Sequence, residues 1–107
     1  MNKIIYKKRL EAFNEVLKLE RVGHSISQKD LSSMLGIPQS FISKSENGER
    51  RLDVIELMEY CDAMGCTLTD FAFRLEGRLF TEGLMSPRRV TDFKRWLSIY
   101  KEYYHIE

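Results

Sequence analysis

The stretch "LSSMLGIPQSFISKSENGE", Leu31 to Glu49, decides the fold. It begins as an amphipathic helix, breaks at Gly36-Ile37-Pro38, and restarts at once as a second short helix. Gly36 can take the left-handed backbone that so tight a corner needs. Pro38 is poor inside a helix but suits its first turn. Helices of two turns are marginal alone, so a chain that keeps such a pair does so for what the corner aims. Two short helices joined by a Gly-containing turn make a helix-turn-helix, whose second member can lie in the major groove of DNA.

Outward from the corner, everything reads as helix. A first helix runs from about Ile4 to Val22, with Leu10, Phe13, Val16 and Leu17 on one face and Gly23 as its terminator. Ser27 caps the helix Gln28 to Leu35, with Asp30 three residues on. The restart covers Gln39 to Glu46 and closes at Asn47-Gly48. Asp53 caps a helix to Met64, with an expected core stripe of Val54, Leu57, Met58, Cys61 and Met64. Thr67 caps a short helix through Leu75. Residues 77–85 lack a clear period and read as a linker. Ser86-Pro87 then opens a last helix bearing Val90, Phe93, Leu97, Tyr100 and Tyr104. The expected fold is all-α: five helices in a DNA-binding domain at 1–76 (helix-turn-helix 28–46), a linker at 77–85, and a C-terminal amphipathic helix at 86–107.

Composition narrows the function classes. A chain of 107 residues with a 43% apolar share can build one small core. No apolar run approaches the length needed to cross a bilayer, and the N-terminus lacks a signal-peptide pattern, so a cytoplasmic protein is expected. Cys61 and Cys66 read as reduced thiols. His24 and His105 stand isolated, without metal spacing, and no metal or cofactor is expected. No nucleophile motif occurs, which argues against an enzyme. The net charge of +1 hides a basic front and an acidic middle: +3 over 1–24, +1 over 25–51, −5 over 52–77 and +2 over 78–107. A polyanion would meet the front half. The run Lys7-Lys8-Arg9 reads as a solvated helix face.

From about Leu17 to Leu75 the chain resembles the lambda-repressor/Cro family of XRE-type regulators. Leu31, Leu35, Gly36, Ile37 and Ile42 stand where that family keeps its packing residues and turn glycine. "SENGER" resembles its close of the recognition helix, and "LDVIELMEYCDAMGCTLTDF" its fourth and fifth helices. The resemblance implies a cytoplasmic DNA-binding regulator, mostly a repressor, acting on a palindromic operator as a homodimer. It implies that Gln28 binds a phosphate and steadies the first reader, that Gln39 reads a base, and that Arg21 and Glu46 form an internal ion pair. Independently, a glutamine amide offers one donor and one acceptor, fitting adenine N6 and N7. Ser40, Ser43 and Lys44 share the outward face with Gln39. Asn47, Arg50 and Arg51 follow the helix, where they would grip the sugar-phosphate chain.

Ser32 replaces a usual alanine, and Ser45 a usual large apolar residue, which leaves a gap on the recognition helix's inner face. Phe41 stands where small polar residues are commoner; outward it would meet a thymine methyl, sideways a partner chain. The last helix, with Phe93, Trp96, Leu97, Tyr100 and Tyr104, is apolar over too wide an arc to stand alone. It either folds back on its own domain, filling the gap near Ser45 or covering Ile55 and Tyr60, or builds a dimer. Two further function classes fit the same residues. One is an antitoxin-type DNA-binding partner of a toxin. The other is a protein-interaction adaptor whose helix-turn-helix has drifted.

Overall fold

The computed structural model describes residues 1–103, and the six elements among them are all α-helices: α1 (Lys3–Gly23), α2 (Gln28–Leu35), α3 (Gln39–Glu46), α4 (Val54–Met64), α5 (Leu68–Thr81) and α6 (Pro87–Tyr103). Tyr104 and His105 lie outside the described residues. No helix among those described is long and apolar enough to cross a membrane.

Local chemistry starts the helices where the sequence places polar caps. Asn2, Ser27, Asp53 and Thr67 each accept a hydrogen bond from a first-turn backbone N–H. At α4 the cap is reciprocal: Asp53 accepts from the Glu56 N–H at 2.7 Å, and Glu56 accepts from the Asp53 N–H at 3.0 Å. Gly36 ends α2 with φ 65°, the left-handed conformation the corner demands. At the end of α1 the structure differs from expectation. Gly23 stays inside the helix, and Ser25 takes the positive φ of 59°.

The core joins α1 (Val16, Leu17), α2 (Leu31), α3 (Ile42), α4 (Leu57, Tyr60, Cys61, Met64) and α5 (Phe71). Phe13 meets Phe71 edge-on at 5.6 Å, an arrangement that suits the ring quadrupoles. The α4 stripe is rotated from the one expected. Leu57, Tyr60, Cys61 and Met64 face inward, whereas Val54 and Met58 are exposed. The reason is volume. Ser45 is fully buried on α3 and small, and the buried Tyr60 brings its hydroxyl beside the Ser45 side chain. The gap is therefore filled from α4, not by the last helix, and Ile55 remains exposed.

α5 also runs further than its sequence suggests. It continues through Gly77 to Thr81, so only residues 82–86 separate it from α6. A glycine inside a helix costs about 1 kcal/mol relative to alanine, and burial on two sides offsets that cost. Phe71 and Leu75 face the main core. Phe73 and Phe80, on the opposite face, receive α6: Phe73 stacks on Tyr100 at 4.0 Å and on Phe93 at 5.9 Å, while Phe80 meets Phe93 at 5.3 Å. α6 is thus a satellite on the outer face of α5. Phe93 is its buried anchor, and Val90 and Leu97 are half-buried. Trp96, Ile99 and Tyr103 form a second, exposed stripe. Arg9 of α1 donates from Nε to the Leu84 carbonyl at 2.8 Å and holds the α5–α6 turn, so this member of the basic run has a structural partner.

Candidate nucleic-acid interface

α3 presents two faces. Ile42, Ser45 and Glu46 are buried, while Gln39, Ser40, Phe41 and Lys44 are exposed and Ser43 is half-exposed. The inner face fixes the helix in place. Arg21 of α1 grips Glu46 with two parallel bonds, Nε to Oε2 at 2.7 Å and Nη2 to Oε1 at 2.9 Å. Its remaining arm donates to the Ile26 carbonyl at 2.8 Å. Both side chains are almost wholly excluded from solvent, at 9% and 2% exposure. The hydrogen bonds to Glu46 hold the Arg21 pKa above its ordinary value. Such a bidentate pair fixes orientation as well as distance. Ser45 adds a back-bond, its Oγ donating to the Phe41 carbonyl at 2.7 Å.

Gln28 sits at the start of α2, half-buried, and its Nε2 donates to Glu46 Oε1 at 3.2 Å. It is therefore part of the clamp on α3, and its amide engages Glu46 and not Gln39. Gln39 opens α3 directly after Pro38, with an exposed side chain. Asn47 caps the end of α3, and its Nδ2 lies 3.5 Å from Ser43 Oγ.

The residues after α3 are more engaged than their charges suggest. Arg50 pairs with Glu56, a member of the α4 capping box, and its guanidinium lies 5.0 Å from the centre of the Phe41 ring. That pair raises the Arg50 pKa and holds the Glu56 carboxyl below its ordinary range. Phe41, open at the sequence level between groove contact and partner contact, is thus covered on one side by Arg50 and remains 38% exposed. Arg51 lies over the Tyr6 ring at 5.5 Å and is exposed. Lys44 is exposed at the last turn of α3. Gly48 stands close to α1; a Cβ there would meet Asn14 Nδ2 at 2.7 Å.

Two contributors are not among the site residues expected from sequence. Glu56 was legible, because Asp53-x-x-Glu56 is a capping-box spacing, but its bond to Arg50 was not. Tyr60 carries no spacing signal beyond its place in α4. Its burial raises the hydroxyl pKa, and its oxygen has no hydrogen-bond partner among the described residues. The residues assigned to packing or dimerisation separate into two faces. Phe93, Leu97 and Tyr100 are buried or half-buried against α5, and Trp96 is exposed at the edge of a cleft that includes Thr69. His24 is isolated in the sequence, but the fold sets it beside Glu20 and Cys66.

Comparison with known proteins agrees with this geometry. Residues 17–71 match the helix-turn-helix family. No curated protein matches the chain. Among solved structures, an XRE-family-like protein from Pseudomonas syringae pv. tomato str. DC3000 shares 44% identity, with a TM-score of 0.65, covering 70% of this chain and 92% of that one. Two structures of the clp gene regulator ClgR from Corynebacterium glutamicum share the fold at lower identity. One has 20% identity and a TM-score of 0.60, covering 65% of this chain and 90% of that chain. The other has 17% and 0.64, covering 92% and 96%. The helix-turn-helix at Gln28–Glu46, the clamp that sets its second helix, and the match across more than half the chain lead to one conclusion: the protein belongs to the XRE-type helix-turn-helix family.

Proposed function

We propose that the protein is a sequence-specific DNA-binding transcriptional regulator, without enzymatic activity, that represses by occupying promoter DNA. α3 enters the major groove and reads base edges through Gln39, with Ser40 and Ser43 beside it. Lys44, Asn47 and Arg51 contact the sugar-phosphate chain, and Phe41, steadied by Arg50, offers an apolar surface to a thymine methyl. The observation that carries this reading is the division of α3. Every large or charged inward group is buried or clamped, and the outward face is a row of exposed hydrogen-bonding side chains beginning at Gln39.

The protein acts as a homodimer on a palindromic or pseudo-palindromic operator. Support comes from the exposed stripe Trp96, Ile99 and Tyr103 at i, i+3, i+7 on α6, beside a cleft of about 370 Å³ that includes Thr69. A two-fold pair would set the two α3 helices about 34 Å apart, one turn of DNA.

The test is a binding titration against DNA from upstream of its own gene, with scrambled competitor at two salt concentrations. A specific complex of two chains per site is expected. Gln39→Ala is expected to lose about 1–3 kcal/mol of discrimination at one base pair per half-site. Equal affinity of wild type for operator and scrambled DNA would remove the reading. So would a Gln39→Ala protein indistinguishable from wild type.

A further inference from the structure

Away from α3, three ligand-type side chains of different chemistry converge at the end of α1. Glu20 and His24 lie one turn apart on that helix and its cap. Cys66 comes from the α4–α5 turn, directly after Gly65. The Glu20 carboxylate oxygen, a His24 ring nitrogen and the Cys66 Sγ all lie within 4.8 Å of one another. None of them is among the residues assigned above to DNA contact.

The bland account of part of this cluster is an ion pair. His24 Nε2 lies 3.6 Å from Glu20 Oε2, and Arg74 Nη1 lies 3.2 Å from the same oxygen. That account uses the carboxylate and the imidazole but gives no role to the thiol that reaches the same point from the α4–α5 turn. Glu20 is 8% exposed, and a buried carboxylate requires positive charge beside it. Arg74 supplies that charge now, but from a side chain that is 48% exposed and can turn out to solvent. His24 and Cys66 are less buried than Glu20, so the cluster is open to a small ion from one side.

We propose that Glu20, His24 and Cys66 form a divalent-metal site of the zinc class, joining the end of α1 to the α4–α5 turn. One thiolate, one imidazole and one carboxylate make a tetrahedral N/O/S donor set with the fourth position left for water. The thiolate disfavours magnesium and calcium, which prefer all-oxygen shells. With metal–ligand bonds of about 2.0–2.3 Å, donor atoms of a tetrahedral site lie roughly 3.3–3.8 Å apart. Closing from separations of at most 4.8 Å is within the reach of side-chain rotation. On binding, the Cys66 thiol releases its proton to solvent and its sulfur pair forms the bond to the metal, while the Arg74 guanidinium leaves Glu20. Cys61 is deeper in the core than Cys66 and lies outside the donor set. The ion would stiffen the last turn of α1, which carries Arg21, the residue that clamps α3.

The test is a titration of the reduced, chelator-treated full chain with cobalt(II). One equivalent should give a thiolate-to-cobalt charge-transfer band and the intense visible bands of tetrahedral cobalt, both abolished by zinc(II). His24→Ala and Cys66→Ser should each weaken binding by about tenfold or more, with Cys66→Ser also removing the charge-transfer band. Arg74→Ala should tighten binding, because it removes the cation that competes for Glu20; a merely structural ion pair predicts no such gain. His24 is exposed, so His24→Ala tests the site without threatening the fold. Absence of the charge-transfer band, its survival in Cys66→Ser, or unchanged affinity in His24→Ala overturns the proposal.

Discussion

Removing the Glu46 carboxylate tests how α3 is held. Glu46→Ala deletes two charge-assisted bonds, at 2.7 and 2.9 Å, and leaves Arg21 with only the Ile26 carbonyl at 2.8 Å. Each charge-assisted bond contributes about 1.5–3 kcal/mol, and breaking a buried pair by removing one partner costs about 3–5 kcal/mol. Gln28 also loses its acceptor, but its half-exposed position lets water replace it. The lower end of the range applies, about 3 kcal/mol, against a total stability of roughly 5–15 kcal/mol for a domain of this size. The double replacement Arg21→Met with Glu46→Leu leaves no orphaned charge and should cost less than Glu46→Ala alone. Urea unfolding followed by far-ultraviolet circular dichroism measures both. A loss below about 1 kcal/mol in Glu46→Ala, well under the range for a buried pair, would refute the clamp. A double replacement as costly as the summed single ones would refute the desolvation account.

Two further outcomes follow from neighbouring groups. The Glu56 carboxyl is held below its ordinary value of 4.5 by the hydrogen bond from Arg50 and then by the Asp53 N–H. Its contribution is complete above pH 4.5 and is lost as pH falls through the lower folded value. Glu56→Gln should therefore be less stable than wild type at pH 7, with the difference narrowing in acid; a gap that widens on acidification contradicts the assignment. Tyr60→Phe removes a buried hydroxyl that has no hydrogen-bond partner among the described residues. It should be neutral or stabilise by up to about 1–2 kcal/mol, and a clear drop in the urea midpoint would show that the hydroxyl is satisfied.

The helix starts were legible because they are written in local chemistry. Ser27, Asp53 and Thr67 cap, Gly36 turns, and Pro38 precedes the restart, all within a few residues of the elements they delimit. What was not legible depends on partners distant in the chain. The inward face of α4 could be placed only by knowing that Ser45, on another helix, leaves room for Tyr60. The length of α5 was hidden because its apolar residues serve two layers, and a helix apolar on opposite sides has no single stripe to read. The candidate reading face showed in the run from Gln39 to Lys44. The engagement of Arg50 with Glu56 and Phe41 did not, since charge alone cannot say whether a cation meets a phosphate or a neighbour. Likewise His24 looked solitary because Cys66 reaches it only through the fold.

The attachment of α6 bears on how this chain can vary. Phe71 and Leu75 serve one face of α5, Phe73 and Phe80 the other, and the two sets share no ring contact among the described residues. Free-energy changes add at distant sites with no shared partner, and the outer stack shares none of its ring contacts with the Arg21–Glu46 clamp. Substitutions that reshape the outer aromatic stack, and with it the exposed stripe of α6, therefore leave the clamp on α3 undisturbed. In evolutionary terms the two faces of one helix are separate traits, so the proposed partner surface and the proposed reading face can drift under independent selection.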